Sequence, residues 1–85
     1  MARPREPKKD ELIAIIWEDA NQVASWLTEE AASSFPLAEV KSAGFFLNKD
    51  KIAIRISGSL SDKERDVLVI PIKWVKRIKF LKMGK

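Results

Sequence analysis

The sequence predicts a small, single-domain, mainly β protein, and three observations lead to that prediction. The chain has 85 residues, 46% of them hydrophobic and 33% charged, a balance typical of one globular domain. Ile52 to Ser57 alternate between isoleucine and smaller or polar side chains after a polar turn, as in a β-hairpin. Val67 to Ile70 form an apolar run that ends at Pro71, which cannot donate a hydrogen bond within a sheet.

Residues 1–9 are predicted to form a disordered basic arm. They contain two of the four prolines and, apart from Met1, no aliphatic side chain larger than Ala2, so they have little to bury. The folded domain is then predicted over residues 10–82, followed by a tail of residues 83–85. The arm either binds a polyanion or only solubilises the chain.

Two interpretations fit residues 10–33. Apolar residues recur at helical spacing from Leu12 to Ala31 after Asp10, a good N-cap, which predicts one long amphipathic helix and an α+β fold. Leu12 to Trp17, however, form a β-branched and aromatic run that is typical of a buried strand. The residues by themselves leave both interpretations open.

A short helix is predicted over Thr28 to Ser34. Thr28 is a good N-cap, Glu29 and Glu30 lie in the first turn, where the helix dipole favours acids, and Pro36 ends the helix.

The C-terminal half carries clearer strand signals. Val40–Leu47 and the alternating run after it form the predicted hairpin, with a polar turn at residues 48–51. The apolar run at residues 67–70 is typical of a central strand that is buried on both faces. The last segment, Lys73–Lys82, fits either a strand or an amphipathic helix surrounded by basic residues.

The residue types exclude most enzyme chemistry. Histidine and cysteine are absent, which removes the usual zinc sites, iron–sulfur clusters, disulfides and imidazole-activated nucleophiles. The three glycines are too widely spaced to form a phosphate-binding glycine-rich loop. We therefore expect no enzyme activity, no metal and no cofactor. No apolar run is long enough for a signal peptide or a membrane-spanning helix, so we expect a cytoplasmic protein.

The charge is segregated along the chain. Residues 1–9 carry a net charge of +3, residues 10–72 carry −5, and residues 73–85 carry +6, which together give the overall +4. An acidic body therefore lies between two basic ends, and a polyanion would be bound at those ends.

Several short motifs occur in an order that resembles a known family. They are Trp17-Glu-Asp-Ala20, Trp26-Leu-Thr-Glu-Glu30, Lys41-Ser-Ala-Gly-Phe-Phe46, Ile52-x-Ile-x-Ile56 with Ser57-Gly-Ser-Leu-Ser61, and Asp66-Val-Leu-Val-Ile-Pro71 with Trp74-Val-Lys-Arg-Ile78. This order, over residues 12–81, resembles that of small, mostly uncharacterised proteins of bacteriophages and prophages.

The resemblance implies an Sm-like fold. Such a fold is a small, strongly bent barrel of five strands with one short helix, whose edges close on neighbouring copies to form a ring. It implies strands at Leu12–Trp17 and Val75–Leu81, and it places Lys73 close to a basic residue of a bacterial relative's RNA pore. The chain departs from Sm proteins at Ile70-Pro-Ile-Lys-Trp-Val75, which lacks their Arg-Gly, and after Asp50, where their Met-Asn pair is missing. Those departures remove the usual determinants of uridine recognition.

The candidate nucleic-acid-binding residues are basic side chains near both ends of the chain and one tryptophan: Lys73, Trp74, Lys76, Arg77, Lys79, Lys82, Arg3 and Arg5. Lys85 belongs to the same C-terminal cluster. Such cations bind phosphates and release their counterions. The alternative is a solvated strand face whose lysines protect an exposed edge from aggregation.

The aromatic residues are predicted mainly to fill the core. Trp74 either packs there, stacks on a base or anchors a subunit interface. Core or helix-packing positions are predicted for Trp17, Trp26, Phe35, Phe45, Phe46 and Phe80.

We expect an Sm-like, non-enzymatic protein that assembles into a ring of its own copies and binds RNA or DNA through its basic ends. One alternative is a structural or host-interaction module with no role in nucleic-acid binding. The other is a helical protein whose basic segment, Trp74–Leu81, binds an anionic membrane or a partner's groove.

Overall fold

The computed structural model describes residues 5–61 and 63–82. They form one antiparallel sheet of five strands in the order β4-β3-β2-β1-β5. The strands are β1 (Leu12–Asp19), β2 (Ala38–Lys49), β3 (Ala53–Ser57), β4 (Leu68–Pro71) and β5 (Val75–Phe80). A helix, α1 (Glu29–Ser33), lies between β1 and β2, and a 3₁₀ turn (Ile72–Trp74) joins β4 to β5.

The mainly β prediction, with five strands and one short helix, is confirmed. The alternative of a long helix over residues 10–33 is wrong. Helical spacing was misleading there because β1 buries side chains on both faces: Ile15 and Ile16 are adjacent and both buried. α1 has the predicted cap, since the Thr28 hydroxyl accepts from the Ala31 amide at 3.1 Å. No helix in the described ranges is long and apolar enough to cross a membrane.

The sheet is open, so the bent barrel that the resemblance implies is not closed within one chain. β4 and β5 lie at opposite ends of the strand order, and no ladder joins them within the described residues. β4 has only four residues, and the 3₁₀ turn after it carries the chain to the far end of the sheet. Both strands therefore have one edge without a strand partner.

The core cluster lies on one face of the sheet. Its buried members are mostly isoleucines from β1, β3 and β4: Ile13, Ile15, Phe46, Ile54, Ile56 and Ile70. Residues paired in register share a face, so Ile15 packs beside Ile78 of β5, and Ile54 beside Ile70. Each fully buried isoleucine contributes about 1.5–3 kcal/mol relative to an exposed one.

Two irregularities shape the sheet. A Cβ at Gly44 would lie 2.7 Å from the backbone oxygen of Ser57, so β2 and β3 approach too closely there for any side chain. The β2–β3 register also shifts between Phe46 and Asn48, a bulge of the kind that bends a strand. Glycine at residue 44 therefore permits the close approach of β2 and β3 beside this bulge.

Several side chains predicted to be buried are exposed. Trp26 is 100% exposed and Phe35 is 41% exposed, because the β1–β2 connection that carries them leaves the sheet. β4 was predicted as a central strand, but it is an edge strand, and Leu68 and Val69 are 41% and 49% exposed. The Phe80 side chain, at 36%, is also exposed because β5 forms the other edge.

The loop after β3 folds back onto the sheet through one carboxylate. Asp66 accepts hydrogen bonds from the Gly58 amide at 3.1 Å and from the hydroxyls of Ser57 and Ser59 at 3.1 and 3.3 Å. These donors, the Gly58 amide first, hold the pKa of Asp66 below its ordinary value. Arg65 extends the contact by donating to Asp10 at 2.6 Å, where Asp10 has a positive φ of 68°.

Candidate nucleic-acid interface

β5 and β1 place two predicted basic residues on the face of the sheet opposite the core cluster. Arg77 pairs with Ile16 and Lys79 pairs with Ala14, so these four side chains share a face. Ile15 and Ile78, which alternate with them, belong to the core side. Arg77 and Lys79 are both exposed.

A third cation lies on the same face of β2. Ile16 and Ala14 pair on their other side with Lys41 and Ala43, which gives two rows across three strands: Arg77–Ile16–Lys41 and Lys79–Ala14–Ala43. We call the surface formed by Lys41, Arg77 and Lys79 the basic face. With strands about 4.8 Å apart, Arg77 and Lys41 are about 10 Å apart at the backbone, and Arg77 and Lys79 about 7 Å apart.

The cations of the basic face are not held in close ion pairs, although Glu39 on the same face of β2 is near enough for Lys41 and Arg77 to help lower its pKa. Within the part of the chain that the structure describes, Lys41, Arg77 and Lys79 form no ion pair with a carboxylate. Ile16, between Arg77 and Lys41, is buried, and the row that begins at Lys79 continues with two small residues, Ala14 and Ala43. Such a surface can approach an extended polyanion along the direction of the strands.

Lys76 is largely neutralised within the protein. It is the residue left without a register partner where the β1–β5 register shifts, and its Nζ lies 3.2 Å from Glu39 Oε2 and 3.9 Å from Glu18 Oε2. The hydrogen bond from Lys76, with smaller contributions from Lys41 and Arg77, holds the pKa of Glu39 below its ordinary value. Lys76 was predicted to contact nucleic acid, and in the folded chain its ammonium group faces carboxylates of β1 and β2.

Arg5 is also engaged within the chain. Its guanidinium forms a two-pronged ion pair with Glu11 and lies 3.8 Å above the centre of the Phe80 ring. This pairing, together with the Lys8 amide, lowers the pKa of Glu11 to about 2. Residues 5–9, predicted as a disordered arm, thus contact the sheet at Arg5 and also through an ion pair between Glu6 and Lys49. Arg3 and Lys85 lie outside the described residues.

Trp74 does not fill the core. It is 45% exposed and stacks on Trp17, with ring centres 6.2 Å apart and planes 15° apart. Trp17 is itself held by a hydrogen bond from its indole nitrogen to the Ser42 hydroxyl at 3.1 Å. The stacked pair therefore presents a supported aromatic surface at the start of β5.

Trp74 and Lys73 line an open cleft of about 340 Å³ between the 3₁₀ turn and the β1–β2 connection. The cleft is lined by Glu18, Asp19, Ala20, Leu37, Lys73, Trp74, Val75 and Lys76. Its walls combine one aromatic surface, two carboxylates and two ammonium groups. This mixture suits a ligand with a planar ring and both donor and acceptor groups.

The predicted site residues therefore divide by position. Arg77 and Lys79 lie together on the basic face, Lys73 and Trp74 lie at the cleft before β5, and Lys82 is exposed just beyond its end. Lys41 was missed because residues 10–72 are acidic on average. Pairing the predicted strand Val40–Leu47 with the predicted first strand could have identified Lys41, because that pairing places Lys41 beside Ile16.

The fold and this surface define a small β protein with an open sheet and a cationic face. No family model, curated protein or solved structure matches the chain. The resemblance to phage and prophage proteins stays a prediction.

Proposed function

We propose that the chain is a non-enzymatic, Sm-like protein that binds the phosphate backbone of single-stranded RNA or DNA on its basic face. The observation that carries the proposal is the grouping of Lys41, Arg77 and Lys79 on one face, without a carboxylate partner in the described residues. Cations without a close carboxylate partner can displace the counterions of a nucleic acid, and the release of those ions favours binding. Lys73 and Lys82 extend the positive surface at the two ends of β5.

The competing explanation is that these cations only keep an exposed edge soluble. Lysine on an edge strand does protect against edge-to-edge pairing. Lys41 favours the binding proposal, because β2 is an interior strand of the sheet and has no edge to protect. A cation on β2, two strands from either edge, is better explained by a ligand that lies across the face.

The test is the salt dependence of binding to short single-stranded RNA and DNA, followed by fluorescence anisotropy. Arg77→Ala with Lys79→Ala should weaken binding and should reduce the slope of log affinity against log salt by about 1.4, since each phosphate contact contributes about 0.7. A matched control replaces Lys51 and Lys63, which are exposed outside the basic face, and should leave the slope unchanged. Absence of binding at low salt, or equal effects of both double variants, would refute the proposal.

We also infer self-association through the free strand edges, a second function favoured by a separate observation. Among the residues that the structure describes, β4 and β5 each have one edge without a strand partner, and the exposed side chains of Leu68 and Val69 make the β4 edge apolar. Pairing of β4 from one copy with β5 from the next is a head-to-tail contact, which closes into a ring when the rotation allows.

The arm lies beside β5 without occupying its edge. Arg5, Glu6 and Pro7 line a cleft of about 310 Å³ together with residues 76–78. No backbone hydrogen bond joins β5 to residues 5–9. The β5 edge therefore keeps backbone groups that a neighbouring copy can pair with.

Mass measurement in solution tests this association. The wild-type chain should form a defined oligomer at high micromolar concentration, and Val69→Lys should shift it toward monomer because a charge enters the β4 contact. Ile52→Lys is the matched control, since Ile52 is 77% exposed but lies in the turn before β3. A monomeric wild type, or an unchanged mass for Val69→Lys, would overturn the inference.

A further inference from the structure

We propose that the cleft beside Trp74 is a subsite for one unstacked nucleobase that carries an exocyclic amino group: cytosine, adenine or guanine. The inference rests on the proposed binding of single-stranded nucleic acid and adds base selection to it. Phosphate contacts position a strand but carry no sequence information, so selection needs a separate surface that reads a base.

Trp74 supplies a stacking platform. Its ring is 45% exposed, yet it is fixed by the stack on Trp17 and by the hydrogen bond from Trp17 to Ser42. A platform held in this way loses little freedom when a base stacks on it, and each base–aromatic stack contributes substantially to single-strand affinity. The cleft, at about 340 Å³, lies in the range of sites that hold small planar ligands.

The carboxylates of the cleft determine which base fits. Asp19 accepts from the Ala20 amide through Oδ1 at 2.7 Å, and Oδ2 has no hydrogen-bond partner among the described residues. Glu18 is only weakly engaged by Lys76, at 3.9 Å. An ionised carboxylate can only accept, so it favours the amino group of cytosine, adenine or guanine over thymine or uracil, whose N3–H donor lies between two carbonyl oxygens that repel a carboxylate.

The cleft adjoins the basic face through Glu18, two residues along β1 from Ile16, and through Lys76, next to Arg77 on β5. Lys76 lines the cleft and Arg77 follows it on β5, so a strand bound along Lys79 and Arg77 reaches the cleft at its next unit. Lys73, on the rim of the cleft, is placed to contact the phosphate beyond the stacked base. Backbone contacts and base contact thus belong to one path across the surface.

The experiment compares three single strands of equal length: oligo(dC), oligo(dT) and an abasic oligomer. Wild type should bind oligo(dC) more tightly than oligo(dT) and the abasic strand. Trp74→Ala should lower the affinity for oligo(dC) about tenfold and leave abasic binding unchanged, because only a stack is lost. Trp26→Ala is the matched control: Trp26 is fully exposed and outside the cleft, and its loss should change none of the three.

Two further variants keep the test valid if Trp74→Ala folds poorly. Trp74→Phe should retain most of the affinity for oligo(dC), because an aromatic ring remains for stacking. Asp19→Asn should reduce the preference for oligo(dC) over oligo(dT), because the asparagine amide can donate a hydrogen bond to the thymine O4. Equal wild-type affinity for oligo(dC) and the abasic strand would overturn the subsite while leaving phosphate binding intact. Failure of all three strands to bind would instead overturn the proposed function, and the subsite with it.

Discussion

Gly44 shows how one residue limits the packing of the sheet. A Cβ at this position would lie 2.7 Å from the Ser57 backbone oxygen and 3.2 Å from the Ile56 Cδ1. Gly44→Ala should therefore lower the free energy of unfolding by about 1–3 kcal/mol, the usual cost of overpacking, as measured by urea denaturation. Gly58→Ala should cost less, because its Cβ would meet the Asp66 side chain, which can move. Equal effects of the two variants would show that the close approach to Ser57 is not limiting.

Protonation of Glu11 should destabilise the fold as the pH falls below 4.5. Its pKa is about 2 in the folded protein, against an ordinary value of 4.5, mainly because Arg5 donates to it. A lowered folded pKa means that its contribution to stability is present above pH 4.5 and is lost as the pH falls from 4.5 toward 2. Urea midpoints measured across that range should fall less steeply for Glu11→Gln than for wild type. A parallel decline would assign the acid sensitivity to other groups, such as Asp50 and Asp66, whose pKa values are also lowered.

Substitution of Trp17 in β1 should destabilise the fold much more than substitution of Trp26 in the β1–β2 connection. Trp17→Ala should lower the free energy of unfolding by about 3 kcal/mol, because Trp17 packs on the core, stacks on Trp74 and donates to Ser42. Trp26→Ala should change it by no more than about 0.5 kcal/mol, because Trp26 has no cover in the described fold. Thermal or urea denaturation of both variants tests this, and a large loss for Trp26→Ala would mean that the connection packs against something.

At the scale of elements, the sequence predicted those features that depend on local chemistry. The β2–β3 hairpin, the Thr28 cap and the strand end at Pro71 each follow from neighbouring residues, and each is found. The position of β4 could not be predicted in this way. An apolar run is compatible with a central strand or with an edge that meets a partner, and only the strand order distinguishes them.

The candidate site was predictable to a similar degree. The exposure of Arg77 and Lys79 follows from strand alternation once β5 is recognised as a strand. The engagement of Lys76 by Glu39 joins residues far apart in sequence, so counting charge by segment cannot show it. The same counting concealed Lys41, a cation within an acidic segment.

At the scale of the whole molecule, the segregated charge is rearranged by folding. The sequence places its positive charge at two ends, but Arg5 is paired with Glu11, so part of the N-terminal positive charge is compensated. The acidic body contributes Lys41 to the basic face. A polyanion is thus expected to meet one face of the sheet rather than the two ends of the chain.

Removal of residues 1–9 distinguishes binding of a polyanion at the basic face from binding at the ends of the chain. If the basic face binds, the truncated protein should keep a salt slope within about 0.7 of the wild-type value, equivalent to one phosphate contact, despite losing a net charge of +3. Arg77→Ala with Lys79→Ala, in the full chain, should reduce the slope by about twice that amount. Urea denaturation of the truncated protein above pH 4.5, where the Arg5–Glu11 pair contributes to stability, measures the cost of losing that pair and shows that the truncated chain is still folded. A slope that falls more on truncation than on the double substitution would assign the binding to the arm, because removing the arm leaves Lys41, Arg77 and Lys79 in place.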